Sequence, residues 1–474
     1  MMPRPDHCQV GLRWAARAPG LQRALLACVL VAGAQAASAQ SQTLSLPEAI
    51  GQALAHNPRH QSQRLDIDRA ASGLDAARAA RWPTLDAGVA ATRYDYPTFI
   101  YPIREPYVFP PMSNTIYDLG LAFKLPLYTG GKLTQGIVLA DLTQQIASER
   151  VRLGSQELAF NVSSTYFKIQ QLDALTQVYA ARIGSLEAQL QRAELLRDTG
   201  KTGKLDVLRI RTLLSSARYD RLQVENRGRE GWTLLYQLIG ALRPTQVPTL
   251  ERYVAASAGG ESLDQLRQQA LAQRPELQIA ERQIAAGQAK EELARGEQRP
   301  SLSLVSGLSE RSGSSVNFYN DWSVGVQMTI PLFDGGVRRA RVDEAVTARH
   351  QAVLAAQETR LAVDKQVEDS WNAHAEAESR LQVTATSVTE ASEALAIEEL
   401  KMEQGVGLTT DVLNAETALL GAQANRLQAQ FDLITTRIDL LRATGELNPE
   451  RVAALVTPDS GEPQTNPSAQ RDKP

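Results

Sequence analysis

The chain has 474 residues, 50 Lys and Arg against 53 Asp and Glu, and a formal net charge of −3. This balance argues against a nucleic-acid partner, and a hydrophobic share of 43 % is ample for a large core. The two cysteines, Cys8 and Cys28, both lie near the N-terminus, so the rest of the chain carries no disulfide framework.

Residues 1–39 read as a secretory signal. Arg4, Arg13, Arg17 and Arg23 precede an apolar run from Ala24 to Val31, and Ala37-Ser38-Ala39 offers a small-x-small cleavage site. The segment holds four arginines and one aspartate, so its removal takes the net charge from −3 to −6. Beyond it no run of about 18 apolar residues occurs, so any membrane crossing must be made by strands.

The remainder is a duplication. Trp82-Pro83-Thr84-Leu85 returns as Arg299-Pro300-Ser301-Leu302, an offset of 217; Leu125-Pro126-Leu127-Tyr128 returns as Ile330-Pro331-Leu332-Phe333, an offset of 205. The first copy therefore holds 12 extra residues, expected in its hairpin loop around Tyr96–Pro102 and Val108–Pro111. Two units of this size must pack against each other. The first repeat spans 40–243, a Pro/Gly/Ser-rich linker 244–262, the second repeat 263–447, and a disordered tail is expected over 448–474.

Within each repeat the order is the same. A helix over 46–81 (and 263–298) ends at an X-Pro step. A hairpin follows over 84–127 (and 301–332). Tyr117, Leu119, Leu121, Phe123 and Leu125 alternate with small or polar residues, as do Trp322, Val324, Val326, Met328 and Ile330. Nine alternating residues make a half-buried strand and match the span that a barrel strand needs in a bilayer. Trp82, Phe123, Tyr128 and Phe333 fall at one end of the strands and Tyr94, Tyr117 and Trp322 at the other, like two interfacial girdles.

Helices without proline then run over 132–199 and 337–404, each about 100 Å long at 1.5 Å per residue. Tips follow at Gly200-Lys201-Thr202-Gly203-Lys204 and Gly405-Val406-Gly407-Leu408-Thr409, and helices return over 205–240 and 410–445. Two 36-residue helices stacked end to end nearly match one long helix, so each chain supplies four antiparallel columns and four strands at one end. Four strands cannot close a barrel, and open edges are not tolerated in lipid. Two chains would give eight strands with an interior filled by side chains, and three would give twelve strands and a lumen, the better fit. The fold class is therefore mainly α, an α-barrel tunnel with a β-barrel part.

Enzyme chemistry finds no foothold. Gly200-Lys201-Thr202 lacks the glycine that a phosphate loop requires at position 195, where Leu195 stands. His56 and His60 lack a third metal ligand, and no G-x-S-x-G elbow occurs. No cofactor is expected.

The paired Arg81-Trp82-Pro83 and Gln298-Arg299-Pro300 junctions, the two x-Pro-Leu steps before Gly-Gly, and Gly405-Val406-Gly407-Leu408-Thr409-Thr410-Asp411-Val412-Leu413 resemble the TolC-type outer-membrane efflux proteins over about Leu44–Leu447. The resemblance implies a homotrimeric channel through outer-membrane lipid into the periplasm. It would dock an inner-membrane transporter through a periplasmic adaptor that contacts the tips. It also implies an acidic constriction at Asp411, with Asp206 as its repeat mate. Asn414 stands where relatives carry a second acid, and Gln404 at a tyrosine latch position. Three Asp411 side chains near a threefold axis would repel one another and favour bound cations. The overall look is similar to the outer-membrane component of haemolysin- and cyclolysin-type (type I) secretion, which implies a protein cargo. Drug or metal efflux is the alternative within the channel class, and a periplasmic coiled-coil adaptor or structural protein the alternative outside it.

Overall fold

The computed structural model describes residues 43–200, 202–255, 262–315 and 317–458. The signal segment 1–39, Lys201 and the tail beyond 458 lie outside these residues. In chain order the elements are β1 (Thr43–Leu44), α1 (Leu46–His56), α2 (Pro58–Ala79), β2 (Thr84–Phe99), β3 (Met112–Tyr128), α3 (Lys132–Asp198) and α4 (Lys204–Ile239). Then come β4 (Thr249–Leu250), β5 (Tyr253–Ala255), α5 (Leu263–Gln273), α6 (Pro275–Gly296), β6 (Ser301–Ser312) and β7 (Phe318–Thr329). The chain closes with α7 (Val337–Glu403), α8 (Thr409–Thr444), α9 (Pro449–Leu455) and β8 (Val456–Pro458).

The two 67-residue helices α3 and α7 are the uninterrupted columns. Each begins after a glycine at positive φ, Gly131 at 91° and Gly336 at 90°, which lets the strand turn directly into a helix. The helices expected over 46–81 and 263–298 are in fact each two. Asn57-Pro58 and Arg274-Pro275 break them, because proline disfavours helical backbone at the preceding residue and both residues sit at extended ψ. The breaks have a use. Asn57 Nδ2 donates to Leu238 O at 2.8 Å, and its repeat mate Arg274 donates through Nη1 to Ala443 O at 3.1 Å. Both acceptors are last-turn carbonyls, which lack helical partners, so each bend caps the column stacked beneath it. The short helices start on serine: Ser45 caps α1, and Ser262 with Gln265 forms a capping box on α5.

Side by side, the columns run α2-α3-α6-α7 on the strand side of the waist and α4-α3-α8-α7 on the tip side. The main core lies at the waist, where Leu46, Ile50, Val162, Tyr166, Phe167, Leu235 and Ile438 are buried. The linker 244–262 carries two short strands: β4 pairs in parallel with β1, and β5 pairs antiparallel with β8. The tail expected to be disordered over 448–474 is ordered as far as 458 among the described residues. Val452 of α9 is buried in the waist core and β8 completes the ladder with β5. The apolar residues needed for this lie outside any long periodic run, so Pro and Ser content masked them.

The four long strands form one sheet in the order β2-β3-β6-β7. The extra residues of the first copy are not confined to its loop. They lengthen β2 to 16 residues against 12 in β6, and widen the turn to residues 100–111 against 313–317.

Tyr166 ties the waist together. Its hydroxyl lies 2.7 Å from Leu44 O and 2.9 Å from Glu251 O, and Tyr253 donates to Glu251 Oε2 at 2.7 Å. Burial raises the pKa of both phenols, that of Tyr253 to about 12. The unfolded value is about 10, so this contribution to stability is complete below pH 10 and is lost as pH rises through the folded-state values. Tyr166→Phe is expected to cost about 1–3 kcal/mol and Tyr166→Ala about 3–5 kcal/mol. Thermal unfolding of the purified chain checks both, and an unchanged Tm for Tyr166→Phe contradicts this account.

Candidate functional site

The ladder register sorts the sheet into two faces. Val89 of β2 pairs with Leu119, Leu121 with Leu308, and Leu308 with Trp322. Leu85, Val89, Leu119, Leu121, Leu304, Leu308, Trp322, Val324 and Val326 therefore share one face. In the single chain that face is bare: Val89 is 82 % and Trp322 73 % exposed. The opposite face carries Asp86, Gly88, Asp118, Gly120, Gly307, Ser309, Arg311, Asp321, Ser323 and Gly325, and is concave. Arg311 Nε meets Asp118 Oδ2 across it at 2.7 Å. An apolar outer and a polar inner surface on one twisted sheet is the division that a bilayer-spanning barrel requires. The outer edges of β2 and β7 have no strand beside them among the described residues.

The aromatic positions divide unevenly. Trp82, Tyr128 and Phe333 are exposed at the helix end of the sheet, and Phe123 is half-buried on the apolar face. Tyr117 and Trp322 lie on the same face nearer the loops. Tyr94 follows Arg93, where the ladder is interrupted until Thr98, so no pairing fixes its face. Tyr319 pairs with Arg311 on the polar face and packs against Tyr101 of the first loop, the rings tilted by 41° with centroids 4.6 Å apart.

At the far end, about 100 Å away along the columns, the two tips differ. In the first, Gly200 turns at φ 72°, Gly203 caps α4, and Lys204 is already the first helical residue. Thr202 donates to Asp206 Oδ2 at 3.1 Å, Arg209 lies 3.7 Å from Asp206, and Arg209 also donates to Thr410 Oγ1 at 2.8 Å. Asp206 is thus tied, and the two tips of one chain are joined through Arg209. In the second tip, Gln404 caps α7, Gly405 turns at φ 77°, and Leu408 caps α8 ahead of Thr409. A Cβ on Gly407 would stand 2.7 Å from Met402 N, so only glycine fits. Val406 and Leu408 project outward. Asp411, Asn414 and Gln404 are exposed, and among the described residues their side chains have no hydrogen-bond or ion-pair partner. They do not form a latch within one chain.

Sequence reading missed the residues that join α3 to α8. Glu416 is buried and accepts from Ser185 Oγ at 2.8 Å and from Gln189, while its Oε2 has no partner. Beside it Arg182 donates to Thr417 at 3.0 Å. The available signal was spacing: Glu416 lies five positions beyond Asp411, on the inward side of α8.

Residues 49–241 and 266–446 match the outer membrane efflux protein family. The chain belongs to this family. Among its relatives is the solvent efflux pump outer membrane protein SrpC of Pseudomonas putida, 26 % identical over 78 % of each chain. The alkaline protease secretion protein AprF of Pseudomonas aeruginosa is 25 % identical over 61 % of this chain and 62 % of its own length. Among solved structures, the outer-membrane channel OprN superposes with a TM-score of 0.75 at 20 % identity, covering 85 % of this chain and 90 % of that one; the likeness speaks for the fold alone. The protein is an outer-membrane efflux channel and not an enzyme.

The face assignment is checked by placing one charge on each side. Val324→Lys, mid-strand on the apolar face, is expected to cost about 2–4 kcal/mol in a bilayer and to reduce insertion into the outer membrane. Ser323→Lys, on the polar face, is expected to insert normally. Equal yields of the two variants in outer-membrane fractions would reverse the reading.

Proposed function

We propose that three copies of this chain form an exit duct that receives cargo from an inner-membrane transporter through a periplasmic adaptor and releases it outside the cell. The observation that carries this is the four-stranded sheet, apolar outside and polar inside, open at both edges and continuous with columns about 100 Å long. Three sheets joined edge to edge make twelve strands around a wet interior. The glycine-rich polar face keeps that interior wide. The columns bring the tips far enough from the membrane to meet an adaptor, and the tip residues Gly200–Lys204 and Gly405–Thr409 are its contact surface.

The tips also form the gate. Asp411 supplies one carboxylate per chain, with no partner among the described residues, and three of them near the axis bind cations and oppose closure. Asp206 is engaged by Thr202 and Arg209 and serves the first tip. Among the described residues neither Asn414 nor Gln404 is bonded within its own chain, so they reach across to neighbouring chains.

For cargo, the resemblance to haemolysin- and cyclolysin-type systems points to a secreted protein, and the similarity to AprF supports that class. The similarity to SrpC favours a second reading, export of small apolar toxicants.

Asp411→Ala is expected to change single-channel conductance and to weaken block by divalent cations, with a smaller effect from Asp206→Ala; identical currents in the Asp411 variant overturn the gate assignment. Deleting the chain is expected to stop secretion of a protein and leave solvent and drug tolerance intact. Loss of tolerance with normal protein secretion instead establishes the small-molecule reading.

A further inference from the structure

The first hairpin carries a loop, residues 100–111, that has no counterpart in the second, whose turn is residues 313–317. Four of its twelve residues are proline, Pro102, Pro106, Pro110 and Pro111, so its backbone has little freedom to lose. Ile100 N donates to Pro111 O at 3.0 Å and closes the base. At the apex Val108 N donates to Glu105 O at 3.2 Å, with Pro106 and Tyr107 between them. Tyr107 takes a φ of 68°, the one positive φ on a non-glycine residue among the described residues. It fills the third position of a type II turn, ordinarily glycine or asparagine, and its side chain stands fully exposed.

The loop does not rise off the sheet; it lies back across it. Tyr319 belongs to β7 and shares the polar face with Asp118 and Arg311. Tyr101 packs against that ring, so the loop, which joins β2 to β3, has crossed β6 on the polar side. Arg104 stands over the Tyr101 ring, 4.8 Å from its centroid, and donates to Asn320 O. Ile116, two residues before Asp118 on the same face, is only 8 % exposed, whereas Ser323 and Gly325 nearer the helices are exposed. An isoleucine buried on a face that is otherwise open shows that this face is covered at the loop end of the strands.

We infer that residues 100–111 form a strap across the inside of the external mouth, and that Tyr101 and Arg104 set the size of solute admitted there. This rests on the ring proposed above and adds a second constriction, at the opposite end from the tips. Each chain has one strap, so three line one mouth, and the short second turn contributes none. The anchors suit a barrier that outgoing cargo pushes aside. An aromatic pair, a cation–π contact and a hydrogen bond hold the strap to the wall, and each is weak where water reaches it. The prolines keep the strap in one shape, so it falls back across the mouth once the cargo has passed.

The size limit is read from outside the cell. Ser323→Cys places a thiol on the polar face below the strap, Tyr107→Cys places one at its apex, and no native cysteine follows Cys28. Intact cells carrying either variant are treated with membrane-impermeant maleimides on polyethylene glycol chains of increasing length, and labelling is read as a mass shift on denaturing gels. Ser323→Cys is expected to accept only the shorter reagents, and Tyr107→Cys all of them. Adding Tyr101→Ala and Arg104→Ala to Ser323→Cys is expected to admit longer reagents. Adding Tyr101→Phe instead, which keeps the ring, is expected to leave the limit where it was. An unchanged limit in the double-alanine chain, or labelling of Ser323→Cys by every length with the strap intact, overturns the strap and leaves the duct standing. Ser323→Cys unlabelled at every length with and without the alanines, while Tyr107→Cys is labelled, overturns the open inner face on which both rest.

Discussion

An open strand edge cannot be left in hydrocarbon, because each unpaired N–H and C=O there has no water to bond. The sheet of this chain has an apolar outer face and two such edges, so it is stable in a bilayer only as an arc of a closed barrel. That constraint fixes much of what lies below it. The strands run directly into helices through Gly130-Gly131 and Gly335-Gly336, so closing the barrel also brings the columns around a common axis. The waist core around Tyr166 then sets the height at which each stacked pair of helices is joined.

Duplication lets one solution serve several times, and the details show which features the geometry demands. Gly240 and Gly445 end α4 and α8 at nearly the same φ, 82° and 81°, each close against a bend of the helix above. The bends use different residues for one purpose, Asn57 in one copy and Arg274 in the other, each donating to a carbonyl in the last turn below. Where only a donor is needed the residue has changed; where the backbone must turn left-handed it has stayed glycine.

The same logic explains what was legible in the sequence. Alternation from Tyr117 to Leu125 and from Trp322 to Ile330 exposed the strands, since a barrel strand sees lipid and water on alternate residues. Long stretches without proline exposed α3 and α7. The bends at Pro58 and Pro275 were overlooked, although both prolines were visible, because matching lengths were satisfied equally well by one helix or two. The waist strands and α9 were hidden for another reason: two- and three-residue strands carry no periodicity, and their pairing depends on residues some 200 positions apart. At the tips, Asp411 and Asp206 were evident by position. Arg209 and Glu416 were not, since their roles come from partners on another column.

The two tips differ in a way that would make the proposed sixfold-looking ring threefold at its gate. Asp206 and Asp411 occupy the same place in the repeat, in the first turn of a helix whose dipole favours a carboxylate. Were both free, the proposed ring would hold six acids of one charge. Instead Thr202 donates to Asp206, and Arg209 sits beside it and reaches on to Thr410 of the other tip. Position 414, the repeat mate of Arg209, is Asn414, which brings no positive charge to Asp411. The differences at these repeat positions, Thr202 against Gly407 and Arg209 against Asn414, would leave the proposed ring with three uncompensated carboxylates rather than six, and Arg209 joins the two tips of each chain.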